Sequence, residues 1–67
     1  EPLSELSIVT EKATMRNQPF EGGDATRENV LGSLCRVKMT RAGWSKIKLP
    51  GGYTGWVRQN KVSPIAN

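Results

Sequence analysis

Residues 41–60, RAGWSKIKLPGGYTGWVRQN, decide the fold of this chain. Hydrophobic and polar residues alternate on both sides of a Pro-Gly-Gly segment, a pattern typical of two β-strands joined by a tight turn. We take Ile47, Leu49 and Val57 as the core face of this hairpin. Directly paired residues must then have numbers with an even sum, because a slip of one residue would turn a whole strand's apolar set toward water.

The simplest register has a three-residue loop at 50–52 that pairs Leu49 with Tyr53. Pro50 at the first corner and Gly52 at the last suit a type I turn followed by a left-handed residue. Counting outward predicts three further pairs on the outer face, namely Lys48 with Thr54, Lys46 with Trp56, and Trp44 with Arg58. The two tryptophans become diagonal neighbours, roughly 7–8 Å apart.

Each tryptophan follows a glycine and faces a cation. The Gly-Trp pairs recur twelve residues apart, but nothing else recurs at that spacing, so a tandem repeat is excluded. Arg58 against Trp44 and Lys46 against Trp56 are predicted cation–π pairs, each worth about 0.5–1 kcal/mol when exposed. Two interpretations stay open: the rings cap a core too small to bury them, or they form an exposed aromatic platform for a ligand.

The rest of the chain also alternates with period two and shows no sustained helical period. Three further strands are predicted. Leu6, Ile8 and Val9 mark the first, and Ala13 and Met15 mark the second. In the third, Cys35, Val37 and Met39 lie on one face. Residues 17–29 carry Pro, Gly, Asp and Asn and predict a long irregular loop. A short turn near the end leads to Val62, expected to be buried. Short strands with frequent turns predict an all-β barrel or sandwich.

Length and charge narrow the class of protein. A chain of 67 residues with 36% hydrophobic and 24% charged residues is expected to form one globular domain. It contains no apolar run long enough to span a bilayer. The net charge is +4. All six acidic residues lie in the first 28 residues, whereas the chain from residue 29 onward has seven basic residues and no acidic one. Either the two halves neutralise each other, or a basic face attracts an anionic partner.

Catalytic and metal chemistry find little support. The chain has one cysteine, Cys35, and no histidine, so neither an intrachain disulfide nor a zinc site is expected. Cys35 falls in an alternating apolar set and is interpreted as a buried structural thiol rather than a nucleophile. No paired carboxylates and no phosphate-binding glycine loop are present. We therefore expect no enzyme, no cofactor and no metal.

Five segments taken in order resemble one family, the bacterial Src-homology-3-like (SH3b) domains. They are ATMRNQP at 13–19, VLGSLCRV at 30–37, GWSKI at 43–47, GGYTGWV at 51–57 and NKV at 60–62. The resemblance runs from about residue 8 to 62 of a single domain spanning 1–67, with short tails. It implies a small, partly open barrel of five to six strands. It also implies a non-catalytic targeting module of exported bacterial proteins, with peptidoglycan and its peptide stems among the ligands.

Two departures from the family pattern limit what carries over. The family often has Ser-Gly before the proline near its second strand, where this chain has Asn17-Gln18. Trp44 matches the leading groove tryptophan of the eukaryotic relatives, but Met15 and Lys61 stand near the positions of the groove tyrosines. Recognition of polyproline helices needs an aromatic-lined groove and is therefore not expected.

The predicted ligand surface is the aromatic and basic outer face of the hairpin, with the long loop beside it. Its residues are Trp44, Trp56, Arg58 and Lys46, flanked by Tyr53, Arg16, Asn17 and Phe20. Three functions are weighed: binding of a cell-wall polymer or peptide, packing against a neighbouring domain of a parent protein, and, with least support, binding of nucleic acid. We expect a monomeric module, excised or mature, and the family resemblance implies an extracytoplasmic location.

Overall fold

The computed structural model describes the backbone of residues 5–65 and the side chains of residues 6–65. Its elements are β1 (Glu5–Val9), β2 (Met15–Arg16), β3 (Ala25–Arg27), β4 (Leu34–Arg41), β5 (Trp44–Lys48), β6 (Thr54–Arg58), a 3₁₀ turn (Gln59–Lys61) and β7 (Val62–Pro64). The strands form one antiparallel sheet in the order β3-β2-β6-β5-β4-β1-β7. The sheet curls into a small, partly open barrel, as the sequence predicts.

Residues from five strands meet in one core. The cluster consists of Val9, Met15, Val30, Cys35, Ile47, Leu49 and Val57. Ile47 and Val57 are fully buried, and Met15 is 1% exposed. A single flat sheet cannot bring these side chains together, so the curl of the sheet is what gives this short chain an interior.

The β5–β6 hairpin has the predicted register. Lys48 pairs with Thr54, Lys46 with Trp56, and Trp44 with Arg58, and the Leu49 N–H donates to the Tyr53 carbonyl at 2.7 Å. The predicted turn type is wrong, however. Gly51 has a φ of +96°, and the Gly52 N–H donates to the Leu49 carbonyl at 3.1 Å. Positive φ at the third residue is the mark of a type II turn, which needs glycine there.

Met39 does not face the core as the alternation of β4 predicts. Val37 pairs with Ile47, but Met39 pairs with Lys46, so a bulge lies between Val37 and Met39. The extra residue reverses the alternation for the rest of the strand. Met39 consequently lies on the outer face and is 47% exposed.

Other predictions change in detail. In β1 the inward residues are Ser7 and Val9, whereas Leu6 is 40% exposed. The second strand is shorter than Ala13–Arg16, and Val62 is half-buried. The predicted irregular loop contains β3, whose residues 25–27 are all exposed. An exposed strand has no apolar alternation, which is why the sequence pattern misses it.

Candidate functional site

Pairing between strands places five of the eight predicted site residues in two rows on the outer face of the sheet. Arg16 of β2 pairs with Trp56 of β6, and Trp56 pairs with Lys46 of β5. The second row consists of Arg58 on β6 and Trp44 on β5. Directly paired residues project from the same face, so cations and tryptophans alternate across three strands.

Both tryptophans are buried, which contradicts the interpretation of the rings as an exposed aromatic platform and agrees with the alternative, in which they cap the core. Trp44 is 5% exposed and Trp56 is 8% exposed, although neither belongs to the core cluster inside the barrel. Arg16 and Lys46, which flank Trp56, are themselves partly buried. Long basic side chains can cover apolar surface with their aliphatic stems. The rings are therefore covered by this chain itself and offer no flat stacking surface.

One of the two predicted cation–π pairs forms. The Arg58 guanidinium lies 4.8 Å from the centre of the Trp44 ring. Lys46 and Trp56 make no such pair within the described side chains; instead Arg27 lies 4.3 Å from the ring of Tyr53. The contact between Arg58 and Trp44 limits the rotation of the Arg58 side chain.

The segment 17–24 between β2 and β3 is an ordered loop. The Asn17 N–H donates to the Asp24 carbonyl at 2.9 Å, and the Asp24 N–H donates to Asn17 Oδ1 at 3.0 Å. Arg16 Nη1 donates to the Gly23 carbonyl at 2.9 Å, so the loop also holds the arginine that flanks Trp56. Phe20, near the middle of the loop, is 52% exposed.

Glu21 connects this loop to the barrel. Arg58 Nε donates to Glu21 Oε2 at 2.8 Å, and Arg58 Nη2 lies 2.7 Å from the same oxygen. The other carboxylate oxygen, Oε1, lies 3.8 Å from Arg16 Nη2. One carboxylate thus joins two arginines that come from different strands. We call this arrangement the Glu21 bridge.

A small cleft of about 150 Å³ lies where the bridge meets Trp44. Its lining includes Arg16, Glu21, Trp44 and Arg58, together with Lys12 and Lys61. Lys61 is paired with Glu11, with 3.2 Å between Nζ and Oε1. We call this space the tryptophan cleft. Its lining includes one aromatic ring, four cations and one carboxylate.

The structure brings together only part of the predicted site. Arg16, Trp44 and Arg58 line the cleft, and Trp56 and Lys46 lie in the adjacent row. Asn17 closes the base of the loop, and Phe20 precedes Glu21 near its tip. Tyr53 lies at the other end of the hairpin, five residues before Arg58, and is 53% exposed. It is therefore separate from the cleft.

Three charged residues of the cleft escaped the sequence prediction, namely Lys12, Glu21 and Lys61. Lys61 stood out only as a replacement for a groove tyrosine. No sequence signal separates Glu21 from Asp24, because both are acids in the same irregular loop. Only the path of the backbone decides which of the two reaches the arginines.

A second, shallower concavity of about 570 Å³ lies at the other end of the molecule. Leu6, Leu34 and Leu49 contribute its apolar surface, and the turn at 50–52 forms one wall. None of its lining residues is aromatic, and none of them belongs to the predicted site. The tryptophan cleft is therefore the better candidate for the predicted ligand.

The remaining chemistry of the described residues is limited. Cys35 is buried and unpaired with another cysteine, and burial raises the pKa of its thiol above the ordinary value. Across the described residues, no three His, Cys, Asp or Glu side chains come together as a metal-binding group. None of the helices in that part of the chain has the length and apolar character needed to cross a bilayer.

Comparison with known proteins adds one match. A family model for the bacterial SH3 domain matches residues 9–64, which is close to the range of 8–62 over which the sequence resembles that family. No curated protein matches the chain, and no solved structure matches it.

Proposed function

The chain belongs to the bacterial SH3 domain family, whose members are typically binding modules, and from this we propose that it is a non-catalytic targeting module for the bacterial cell wall. Its ligand is an anionic polymer or peptide of the envelope, bound at the tryptophan cleft. The module acts outside the cytoplasm, where such polymers lie.

The grouping of arginines beside an aromatic wall carries this proposal. Arg16 and Arg58 both reach into the cleft next to Trp44. Guanidinium groups bind carboxylate and phosphate oxygens through paired hydrogen bonds, which favours ligands with those groups. Peptide stems and anionic wall polymers supply them. The small opening suits one such group with a short apolar neighbour rather than a sugar stacked flat on a ring.

Four of the other five predicted site residues take supporting roles in this proposal. Trp56 and Lys46 pair with each other in the row beside the cleft. Asn17 closes the base of the loop through its hydrogen bond with Asp24. Phe20 is exposed near the loop tip and offers apolar contact to a ligand that extends past the cleft. Tyr53 is too far along the hairpin to contribute.

Burial of the tryptophans weakens the rival function, packing against a neighbouring domain through the same face. That hypothesis rested on two exposed rings in need of a cover. Both rings are more than nine-tenths buried without any partner. Hydrophobic burial at this face would therefore add little free energy to an interdomain contact.

Co-sedimentation with purified peptidoglycan tests the proposed function. The double variant Arg16→Gln/Arg58→Gln removes both guanidinium groups, and we expect affinity to fall by about tenfold or more, since hydrogen bonds to charged groups are worth about 1.5–3 kcal/mol. Lys48→Gln is the control, because it also removes a positive charge and lies in β5 outside the cleft. Wild-type binding by the double variant, shown by circular dichroism to be folded, would contradict the proposal.

A further inference from the structure

The Glu21 bridge places a carboxylate between the two arginines of the tryptophan cleft. Its oxygen Oε2 accepts a hydrogen bond from Arg58 Nε at 2.8 Å and lies 2.7 Å from Arg58 Nη2. The other oxygen, Oε1, lies 3.8 Å from Arg16 Nη2. The contacts with Glu21 thereby indicate what kind of group these two arginines bind. A planar group with two oxygens fits between them.

We infer that the Arg16–Arg58 pair is the binding site for a ligand carboxylate, and that Glu21 occupies this site as an internal competitor until the ligand displaces it. The inference rests on the proposed function, since it names the chemical group recognised at the same cleft. It assigns Glu21 a role opposite to that of a binding residue: its removal strengthens binding.

The contacts around Glu21 allow its displacement. The Glu21 side chain is 62% exposed and that of Arg58 is 48% exposed, and exposed ion pairs are weak because water screens them. The loop keeps its shape without Glu21, since the two hydrogen bonds between Asn17 and Asp24 close its base. Rotation of one side chain into water is enough to free both arginines.

The two arginines stay in position after Glu21 leaves. Arg16 remains bound to the Gly23 carbonyl through Nη1, which leaves Nη2 directed at the cleft. Arg58 remains against the Trp44 ring. A pair of guanidinium groups whose rotamers are already restricted loses little entropy when it binds an anion.

The neighbouring lysines add to the attraction for an anion. Lys61 is already paired with Glu11, whereas Lys12 makes no ion pair with any residue from 6 to 65. Without Glu21 the lining of the cleft would contain four cations and no acid. An incoming carboxylate therefore replaces the negative charge that Glu21 contributes to the lining in the free protein.

Titration of the whole chain with N-acetylalanine, followed by amide chemical shifts at constant ionic strength, tests this inference. We expect Glu21→Gln to bind the probe about two- to fivefold more tightly than wild type, the range for loss of an exposed competing ion pair. The amide of N-acetylalanine, which lacks the charge, should show no gain. In Glu21→Gln/Arg58→Gln the gain should disappear.

Glu28→Gln is the matched control, since it makes the same substitution at an exposed acid that has no ion pair with a described residue. An equal gain in Glu28→Gln would reduce the effect to net charge and overturn the inference. So would unchanged or weaker binding by Glu21→Gln. A gain for inorganic phosphate that exceeds the gain for N-acetylalanine would overturn the assignment to a carboxylate.

The two proposals fail separately. If the arginine variants lose binding to peptidoglycan but Glu21→Gln binds N-acetylalanine no better than wild type, the proposed function stands and the competitor role falls. If wild-type protein does not bind peptidoglycan but Glu21→Gln shows the gain, the carboxylate site stands and its assignment to the cell wall falls.

Discussion

Gly43 and Gly55 both precede a tryptophan, but each is required for a different physical reason. Gly43 has a φ of +84° and, with Ala42 at +48°, forms the two-residue turn between β4 and β5. A Cβ atom at Gly43 would meet nothing within 4 Å. At Gly55 a Cβ atom would stand 2.5 Å from Met15 Cγ and 3.0 Å from the Arg16 carbonyl oxygen. Gly43 therefore supplies a backbone conformation, and Gly55 lets β2 approach β6.

Asparagine at each position separates these two reasons. Asparagine tolerates the left-handed region better than other non-glycine residues, so Gly43→Asn should cost less than about 1 kcal/mol of the free energy of unfolding. Gly55→Asn should cost about 1–3 kcal/mol or more, because the side chain overpacks the space taken by Met15. Urea unfolding measures both values. Equal losses at the two sites would show that the close approach at Gly55 does not matter.

At the scale of the element, the bulge in β4 decides which side chains this strand presents. Lys38 is the additional residue between Val37 and Met39. Before the bulge Cys35 points into the core, at 2% exposure, and after it Met39 points outward. The same strand thus serves the core at one end and the outer face at the other.

Substitution of Met39 tests the effect of the bulge. Because Met39 is on the outer face, Met39→Thr should change the free energy of unfolding by no more than about 0.5 kcal/mol. Ile47→Ala, at a fully buried position, should cost about 2–5 kcal/mol. Denaturant unfolding of the two variants gives the comparison. A loss at Met39 as large as that at Ile47 would mean that the alternation continues through residue 39 without interruption.

At the scale of the whole molecule, charges from the two ends of the sequence meet. Glu11 pairs with Lys61, and Glu21 pairs with Arg58, across sequence separations of 50 and 37 residues. The acidic first part of the chain thus neutralises some of the basic second part. Other cations, among them Lys46 and Lys48, make no ion pair with a residue from 6 to 65. The two halves therefore neutralise each other only in part, and attraction of an anionic partner by the remaining positive charge stays a prediction.

Tryptophan fluorescence tests the covering of the outer face in solution. Trp44 and Trp56 are 5% and 8% exposed, so iodide should quench the emission of native protein several-fold less than that of protein unfolded in urea. The native emission maximum should also lie at shorter wavelength than the unfolded one. Equal quenching before and after unfolding would show that both rings are exposed in the native protein, as the platform interpretation of the sequence requires.

The sequence by itself determined the register of the β5–β6 hairpin and the residues that it contributes to the core cluster. Side chains alternate strictly along a strand, so Ile47, Leu49 and Val57 can share the core only in an even-sum register. The same periodicity predicted burial of Cys35 and placed Trp44 beside Arg58. Because these features depend on residues close together in the chain or on the period of a strand, local sequence is enough to predict them.

Only the tertiary structure decided what covers the two tryptophans. The loop 17–24 has no periodicity, so nothing in its sequence shows that Glu21 returns to Arg16 and Arg58. The bulge that turns Met39 outward depends likewise on how β4 fits β5. Both are contacts between parts of the chain whose relative positions are set by closure of the barrel. The sequence places the aromatic and basic residues on one face, and the tertiary structure buries the two rings and brings Glu21 to the arginines at a cleft beside Trp44.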